Sequence, residues 1–184
     1  MTRIIAGTAG GRTLRTPPGS GTRPTSDRVR EARAEKSASR DVIDGARVLD
    51  LYAGSGALGL EAASRGAAEV DLVESDRRAA SVIRDNIAAL GLDGARTRAM
   101  TVATFLAGPS PSAYDLVLLD PPYDLAETEV TTVLATLAER GWTREGSLVV
   151  VERSTRSPEP RWPAAWSVGK ARRYGETTLW LATC

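Results

Sequence analysis

The chain of 184 residues has no histidine and a single cysteine, Cys184, which is its last residue. Without histidine it cannot build a Ser-His-Asp triad, a histidine general base or a histidine-ligated metal site. One cysteine excludes an internal disulfide and a cysteine-built zinc cluster, so we predict no metal. No window approaches the roughly 20 apolar residues of a membrane span, and Met1–Ser20 has no apolar signal core. We therefore expect a cytoplasmic protein without a membrane partner.

The net charge of +1 hides an uneven distribution of basic residues. Residues 1–30 hold six arginines and one acid, Asp27, and carry +5, which leaves −4 for the rest of the chain. This concentration predicts a surface that meets a phosphate backbone. A solvated basic arm without a ligand is the alternative interpretation. The arginines are Arg3, Arg12, Arg15, Arg23, Arg28 and Arg30.

From Ala46 onwards, short apolar runs alternate with helix-patterned segments, which predicts an α/β fold with a mostly parallel sheet covered on both faces. About seven strands are expected, and the last two form an antiparallel hairpin around Gly175 and Glu176. The predicted strands are Arg47–Leu51, Val70–Glu74, Arg96–Met100, Asp115–Leu119, Ser147–Val151, Trp166–Tyr174 and Thr177–Ala182. The predicted helices are Leu58–Arg65, Arg77–Leu90, Ala103–Leu106 and Glu127–Arg140, with Gly66, Gly91 and Gly141 at the ends of the three longer ones.

Residues 1–45 are predicted to form an extension in front of a main domain of residues 46–184. Arg3–Gly7 and Arg12–Arg15 flank a glycine-rich turn and predict a small β-hairpin. A linker rich in proline and glycine follows, and a capped helix is expected to begin near Thr25.

A glycine-rich turn follows the first predicted strand, where Gly54, Gly56 and Gly59 satisfy G-x-G-x-x-G. Glu74, at the next strand end, is placed to accept both hydroxyls of a ribose. Asp50, before the turn, would put negative charge near the phosphates of a nicotinamide cofactor. S-adenosylmethionine carries an ammonium and a sulfonium and no phosphate, so the sequence favours it. A nicotinamide cofactor and a tight turn without a ligand are the alternatives.

A second motif, Leu-Leu-Asp-Pro-Pro-Tyr at Leu118–Tyr123, follows an apolar strand. Consecutive prolines fix an extended backbone and donate no hydrogen bond, so carbonyl oxygens stay available as acceptors. An exocyclic amino group would donate to Asp120 and to the carbonyl of Pro121, while Tyr123 stacks on the base. Transfer from an activated methyl donor then needs orientation rather than a metal or a covalent nucleophile. The alternative interpretation is a turn that only ends the strand.

The residue type at Asp120 bears on which base is bound. Guanine presents neighbouring N1–H and N2–H donors, which a carboxylate accepts in a bidentate way. Adenine pairs its N6 donors with an N1 acceptor, which suits an amide better. The sequence thus favours guanine, with adenine as the alternative.

The chain resembles the bacterial 16S ribosomal RNA guanine-N2 methyltransferases over most of its length. The residues that carry the resemblance are Arg3–Gly7, Arg23–Glu31, Asp50–Ala62, Glu74 and Asp120–Tyr123. Two features depart from the family. Ala32–Arg40 lacks the large apolar residues usual there, and the third strand end near Met100 and Thr101 lacks a carboxylate for the adenine amino group.

The resemblance implies a Rossmann-like class I methyltransferase fold and methyl transfer from S-adenosylmethionine to N2 of guanine 966 of 16S ribosomal RNA, with S-adenosylhomocysteine as product. The implied substrate is RNA within a small-subunit assembly intermediate, and the implied state is a monomer. The implied cofactor residues are Asp50, Tyr52, Gly54, Ser55, Gly56, Glu74, Ser75 and Asp120, with Arg23 and Thr25 closing over them. The implied catalytic residues are Asp120, Pro121, Pro122 and Tyr123, and the RNA contacts are Arg3, Arg12, Arg15, Arg28 and Arg30.

The sequence leaves two other functions open. A DNA adenine-N6 methyltransferase also uses an acidic Pro-Pro-aromatic motif, although the chain shows no separate target-recognition domain. A non-enzymatic module that binds RNA and holds the cofactor without turnover is the third hypothesis.

Overall fold

The computed structural model describes residues 2–17, 43–110 and 112–184. Its centre is a sheet of eight strands in the order β3-β2-β1-β4-β5-β8-β6, and β7 also pairs with β8. The strands are β1 (Arg47–Leu51), β2 (Glu69–Val73), β3 (Ala95–Arg98), β4 (Tyr114–Leu119), β5 (Thr143–Ser154), β6 (Ser167–Val168), β7 (Arg172–Tyr174) and β8 (Thr177–Thr183). The first five are parallel, whereas β8 is antiparallel to β5.

Helices cover both faces of the sheet, as the runs of buried apolar residues in β1, β2 and β4 require. The helices are α1 (Ala57–Ser64), α2 (Arg77–Leu90), α3 (Val102–Ala107) and α4 (Glu127–Glu139). One buried cluster joins the sheet to α1 and α2 through Leu60 and Ile83, and we call it the first cluster. The second cluster joins the opposite face to α3 and α4 through Leu106 and Leu134.

The four helices predicted after Ala46 are confirmed, with bounds that differ by one residue at most. Arg77–Leu90 is helical over its whole predicted length because both ends are capped. Asp76 accepts the N–H of Ala79 at 2.8 Å, and Gly91 ends the helix in the left-handed conformation at φ 67°. Gly66 and Gly141 have positive φ at the ends of their helices, as predicted.

The structure has eight strands where the sequence predicted seven. The predicted strand Trp166–Tyr174 is divided into β6 and β7, which both pair with β8 along its outer edge. Gly169 interrupts the run, and its N–H donates to the carbonyl of Leu181 at 2.9 Å. The predicted hairpin around Gly175 and Glu176 is confirmed by the pairing of Tyr174 with Thr177.

The predicted N-terminal hairpin is reduced to one antiparallel bridge, between Arg3 and Thr13. Its strands do not extend further because α1 binds the same backbone. The carboxylate of Glu61 accepts the N–H groups of Ile5 at 2.7 Å and Ala6 at 3.1 Å. Ile4 is buried in the first cluster, so the described part of the extension packs on the main domain. The division into residues 1–45 and 46–184 stays a prediction.

The helix predicted to begin near Thr25 and the polar run Ala32–Arg40 lie outside the described residues. Within the ranges that the structure covers, no helix has the length and hydropathy needed to cross a bilayer.

Gly7 and Gly11 form a matched pair for testing how the N-terminal segment packs, because their φ angles are 83° and 80°. A Cβ at Gly7 would lie 1.7 Å from the carbonyl oxygen of Ser64, whereas one at Gly11 meets nothing within 4 Å. Gly11→Ala should lower the free energy of unfolding by about 1–2 kcal/mol through backbone strain alone. Gly7→Ala should lower the free energy of unfolding clearly more, because the segment must move away from α1 to make room for the Cβ. Urea unfolding measures both, and equal losses would contradict this packing.

Candidate active site

Four strands of the sheet end side by side, and this alignment forms the candidate site. Leu51 of β1 is paired with Val73 of β2 and with Leu119 of β4, and Val73 is paired with Arg98 of β3. The loops that follow these residues therefore open on the same edge of the sheet. In open α/β sheets this carboxyl edge is where ligands bind. The glycine-bearing and proline-bearing loops thus lie next to each other, as the sequence predicted.

The glycine-rich loop after β1 turns sharply through left-handed backbone. Tyr52, Gly54 and Gly56 have φ angles of 62°, 58° and 80°. The N–H of Ala53 donates to the carbonyl of Val73 at 3.0 Å, which ties the loop to the end of β2. Left-handed backbone is unfavourable for a tyrosine, by about 1–2 kcal/mol, so the surrounding contacts hold Tyr52 in place.

Asp50 and Gly59 set how closely α1 approaches the sheet. Asp50 is fully buried, and its Oδ2 accepts the N–H of Gly59 at 2.8 Å. A Cβ at Gly59 would lie 2.8 Å from a methyl carbon of Leu72, so the third glycine of the motif is required for this packing. This hydrogen bond joins Asp50 to the first turn of α1. Its predicted contact with a cofactor ammonium stays a prediction.

Glu74 follows β2 and faces the glycine-rich loop, as the motif spacing predicted. Its Oε2 accepts the N–H of Gly54 at 2.8 Å, and its Oε1 accepts the N–H of Asp76 at 2.7 Å. Each carboxylate oxygen has a second lone pair, so these bonds leave acceptor capacity for hydroxyl groups of a ligand. Ser75 is exposed beside it.

The Asp-Pro-Pro-Tyr loop begins directly beside the glycine-rich loop. The N–H of Asp120 donates to the carbonyl of Leu51 at 3.4 Å, so this loop is bonded to the end of β1, directly before the glycine-rich loop. Pro121 is buried, whereas the side chain of Tyr123 is 45% exposed and presents its ring at the surface. The carbonyl of Pro122 accepts the N–H of Leu125 at 3.0 Å, which closes a turn. Of the two proline carbonyls, that of Pro121 is the better candidate acceptor for a substrate.

Two buried polar residues that hold these loops were missed by the sequence interpretation. Arg153 of β5 donates to the carbonyls of Pro122 and Leu125. Asn86 of α2 donates to the carbonyls of Ser55 at 3.2 Å and Arg15 at 3.0 Å, and accepts the N–H of Arg15 at 2.9 Å. A signal for Asn86 existed, because it is the only asparagine in a chain without glutamine. Arg153 had none, since its partners are backbone groups distant in sequence.

The arginines predicted to contact RNA have different surroundings. The side chain of Arg3 is exposed. Arg15 is also exposed, and it pairs with Asp85 at 3.7 Å. The guanidinium of Arg12 instead donates to the carbonyls of Ala89 and Leu90, at the C-terminal end of α2. Arg23, Thr25, Arg28 and Arg30 lie outside the described residues.

Within residues 2–17, 43–110 and 112–184, no group of three or more acidic or cysteine side chains is arranged to hold a metal ion.

Comparison with known proteins shows the family to which the chain belongs. The model of the family described as conserved hypothetical protein 95 matches residues 2–183. The chain belongs to this family. It is 39% identical over 179 residues to ribosomal RNA small subunit methyltransferase D of Escherichia coli K12, covering 97% of this chain and 88% of that protein. It is 33% identical to the protein of the same name from Haemophilus influenzae, covering 94% and 89%.

Solved structures agree with the family assignment. The structure of yhhF, a candidate methyltransferase of Escherichia coli, superposes with a TM-score of 0.86 at 37% identity and covers 98% of this chain and 96% of that one. Magnesium protoporphyrin IX methyltransferase from Synechocystis, solved with bound S-adenosylmethionine, shares the fold at a TM-score of 0.68 and 14% identity. The family resemblance and the Rossmann-like class I methyltransferase fold predicted from the sequence are thus confirmed. The family match includes the N-terminal segment that packs on α1.

We predict that Asn86 stabilises the folded protein, because it joins the glycine-rich loop to the N-terminal segment. Asn86→Ala leaves the N–H and carbonyl of Arg15 and the carbonyl of Ser55 without this partner. We expect a loss of about 2–3 kcal/mol in the free energy of unfolding, measured with urea. The matched control is Asp85→Ala, whose exposed pair with Arg15 should contribute less than about 1 kcal/mol. Equal effects of the two variants would refute this role.

Tyr52 gives this site a predicted alkaline pH dependence. Burial of the ring and the nearby carboxylate of Glu129 raise the pKa of Tyr52 to about 12, against the opposing effect of Arg153. The unfolded chain has a tyrosine pKa of about 10, so between pH 10 and 12 the folded state binds more protons. Stability from this group is complete below pH 10 and is lost as the pH rises towards 12.

The variant Tyr52→Phe cannot ionise, so it should lose less stability than the wild type over that pH interval. Urea unfolding at pH 9, 10 and 11 measures the difference, on the basis of the linkage between protonation and folding. Parallel curves for the two proteins would show that Tyr52 ionises equally in both states.

Proposed function

We propose that the chain transfers the methyl group of S-adenosylmethionine to the exocyclic N2 of a guanine in 16S ribosomal RNA. The observation that carries this proposal is the hydrogen bond from the N–H of Asp120 to the carbonyl of Leu51, the last residue of β1 before the glycine-rich loop. It puts the acceptors for an amino group beside the loop predicted to hold the methyl donor. The names of the relatives, ribosomal RNA small subunit methyltransferases, support the same substrate class.

The residues around the glycine-rich loop fit S-adenosylmethionine, which supplies a methyl group activated by its sulfonium. A Cβ at Gly54 would meet nothing within 4 Å, so the backbone there faces open space. Glu74 would hold the ribose hydroxyls with the lone pairs that its bonds to Gly54 and Asp76 leave over. The negative charge of Asp50, before the turn, favours this cationic cofactor over one with a pyrophosphate.

Asp120 and Pro121 would orient the amino group of the base. The Asp120 carboxylate would accept one N–H and the Pro121 carbonyl the other, while Tyr123 offers an exposed ring for stacking. Asp120 would also stabilise the positive charge that develops on the nitrogen as its bond to the methyl carbon forms and the carbon–sulfur bond breaks, which leaves S-adenosylhomocysteine, and the nitrogen then loses one proton. Guanine suits this carboxylate because its N1–H and N2–H donate side by side, whereas adenine presents an acceptor next to its amino group.

We propose that the RNA is presented in a small-subunit assembly intermediate and that the protein acts as a cytoplasmic monomer. The exposed side chains of Arg3 and Arg15 support RNA contact from the N-terminal segment. Arg12 is a weaker candidate, since helix carbonyls already accept its guanidinium hydrogens. Sedimentation of the free protein, and of its mixture with small subunits, tests the monomer and the RNA partner separately.

The activity is tested with labelled S-adenosylmethionine and small ribosomal subunits from a strain that lacks the modification. We expect N2-methylguanosine in the hydrolysed RNA. Unmodified DNA, analysed for N6-methyladenine, tests the DNA methyltransferase alternative. Cofactor binding without transfer to either substrate would support a binding module and contradict the proposal.

Asp120→Ala is expected to lower methyl transfer by at least about 100-fold, because the amino group loses its charged acceptor. Cofactor binding, measured by calorimetry, should persist. Asp124→Ala is the matched control: it removes an exposed carboxylate from the same loop and should keep wild-type activity. Full transfer by Asp120→Ala would overturn the role assigned to that residue.

A further inference from the structure

Arg153 is a charged side chain buried in the second half of β5, with 2% of its surface exposed. Removing a guanidinium from water is unfavourable unless hydrogen-bond acceptors and negative charge replace the lost solvent. The hydrogen-bond partners of the Arg153 side chain lie in the loop that follows β4 and in the first turn of α4. Arg153 is therefore a strand residue whose side chain binds the loop after β4 and the start of the helix that follows it.

The guanidinium contacts this loop at three points. Its Nη1 donates to the carbonyl of Pro122 at 3.2 Å, and its Nη2 donates to the carbonyl of Leu125 at 2.9 Å. The same Nη2 donates to the carboxylate of Glu127, in the first turn of α4. The contacts span the loop from its second proline to the helix that follows it.

The first contact acts directly on the substrate motif. The carbonyl of Pro122 accepts from Leu125 at 3.0 Å as well as from Arg153, so its peptide plane is held from two sides. Tyr123 follows that peptide, and its side chain is 45% exposed. A planar guanidinium with several donors can hold two carbonyls and a carboxylate together, whereas the single ammonium of a lysine cannot reproduce this geometry.

We propose that Arg153 is a positioning residue for methyl transfer: it clamps the turn at residues 122–127 and so sets the orientation of the Asp120–Tyr123 acceptors. This inference rests on the proposed function, because it assigns those acceptors to the substrate base. A contribution to stability alone is the competing explanation. Buried ion pairs are often replaced by apolar residues without loss of stability, so burial by itself does not favour that explanation.

The test compares Arg153→Lys and Arg153→Met with Arg144→Met, at a temperature well below unfolding of every variant. Arg144 is the matched control because it lies on the same strand, pairs with Asp115 near the opposite end and is 66% exposed. We expect kcat to fall about 100-fold in Arg153→Met, since small misplacements of reacting groups have such effects. The KM for S-adenosylmethionine should stay within about two-fold, because the hydrogen bonds of the Arg153 side chain hold the turn and α4 and not the glycine-rich loop. Arg144→Met should match the wild type.

Arg153→Lys tests whether the positive charge is enough or whether the shape of the guanidinium is needed. It keeps the positive charge, so a kcat well below the wild type supports the clamp, and full recovery of kcat refutes it. Hydrogen exchange gives a second readout that needs no activity. In both Arg153 variants the amide of Leu125 should exchange faster while the amides of β8 keep their wild-type rates.

The outcomes also distinguish this inference from the proposed function. If the wild-type protein methylates neither small subunits nor DNA, the proposed function fails, and exchange at Leu125 still reports on the clamp. Unchanged exchange at Leu125 in Arg153→Lys overturns the inference, even if Arg153→Met does not fold. Faster exchange throughout β5 and β8, with wild-type kcat, would assign Arg153 to stability instead.

Discussion

The register of four parallel strands is the constraint on which the candidate site depends. The last paired residues of β3, β2, β1 and β4 lie side by side, so the loops that follow them share one edge. Backbone bonds from Ala53 to Val73 and from Asp120 to Leu51 extend this alignment into the loops. A slip of one residue in β4 would turn its side chains to the opposite face and remove Asp120 from its place.

Buried polar side chains maintain the irregular backbone of the loops. Asp50, Glu61, Asn86 and Arg153 are all buried, and each binds backbone N–H or carbonyl groups outside its own strand or helix. A sharp turn leaves such groups without the partners that a helix or sheet provides, and burial makes that costly. Three of these side chains, Glu61, Asn86 and Arg153, have no part in the proposed chemistry, and Arg153 holds the loop that carries Asp120–Tyr123.

The N-terminal segment, which carries the basic residues, is joined to α1 and to the glycine-rich loop. Glu61 binds it at Ile5 and Ala6, while Asn86 binds it at Arg15 and also holds Ser55 of the glycine-rich loop. An RNA contact made by exposed Arg3 or Arg15 would thus act on a segment attached to the loop beside Glu74. The segment packs into the first cluster through Ile4.

The sequence alone determined the order of helices and strands, the positions of both motifs and the edge of the sheet that they share. Apolar periodicity, glycine spacing and consecutive prolines are local properties, so they are legible without coordinates. Only the tertiary structure decided three other features. They are the division of Trp166–Tyr174 into two strands, the single bridge at Arg3, and the partners of Arg153 and Asn86. Each depends on contacts between residues distant in the chain, such as Gly169 with Leu181 and Ile5 with Glu61, and no local pattern encodes those.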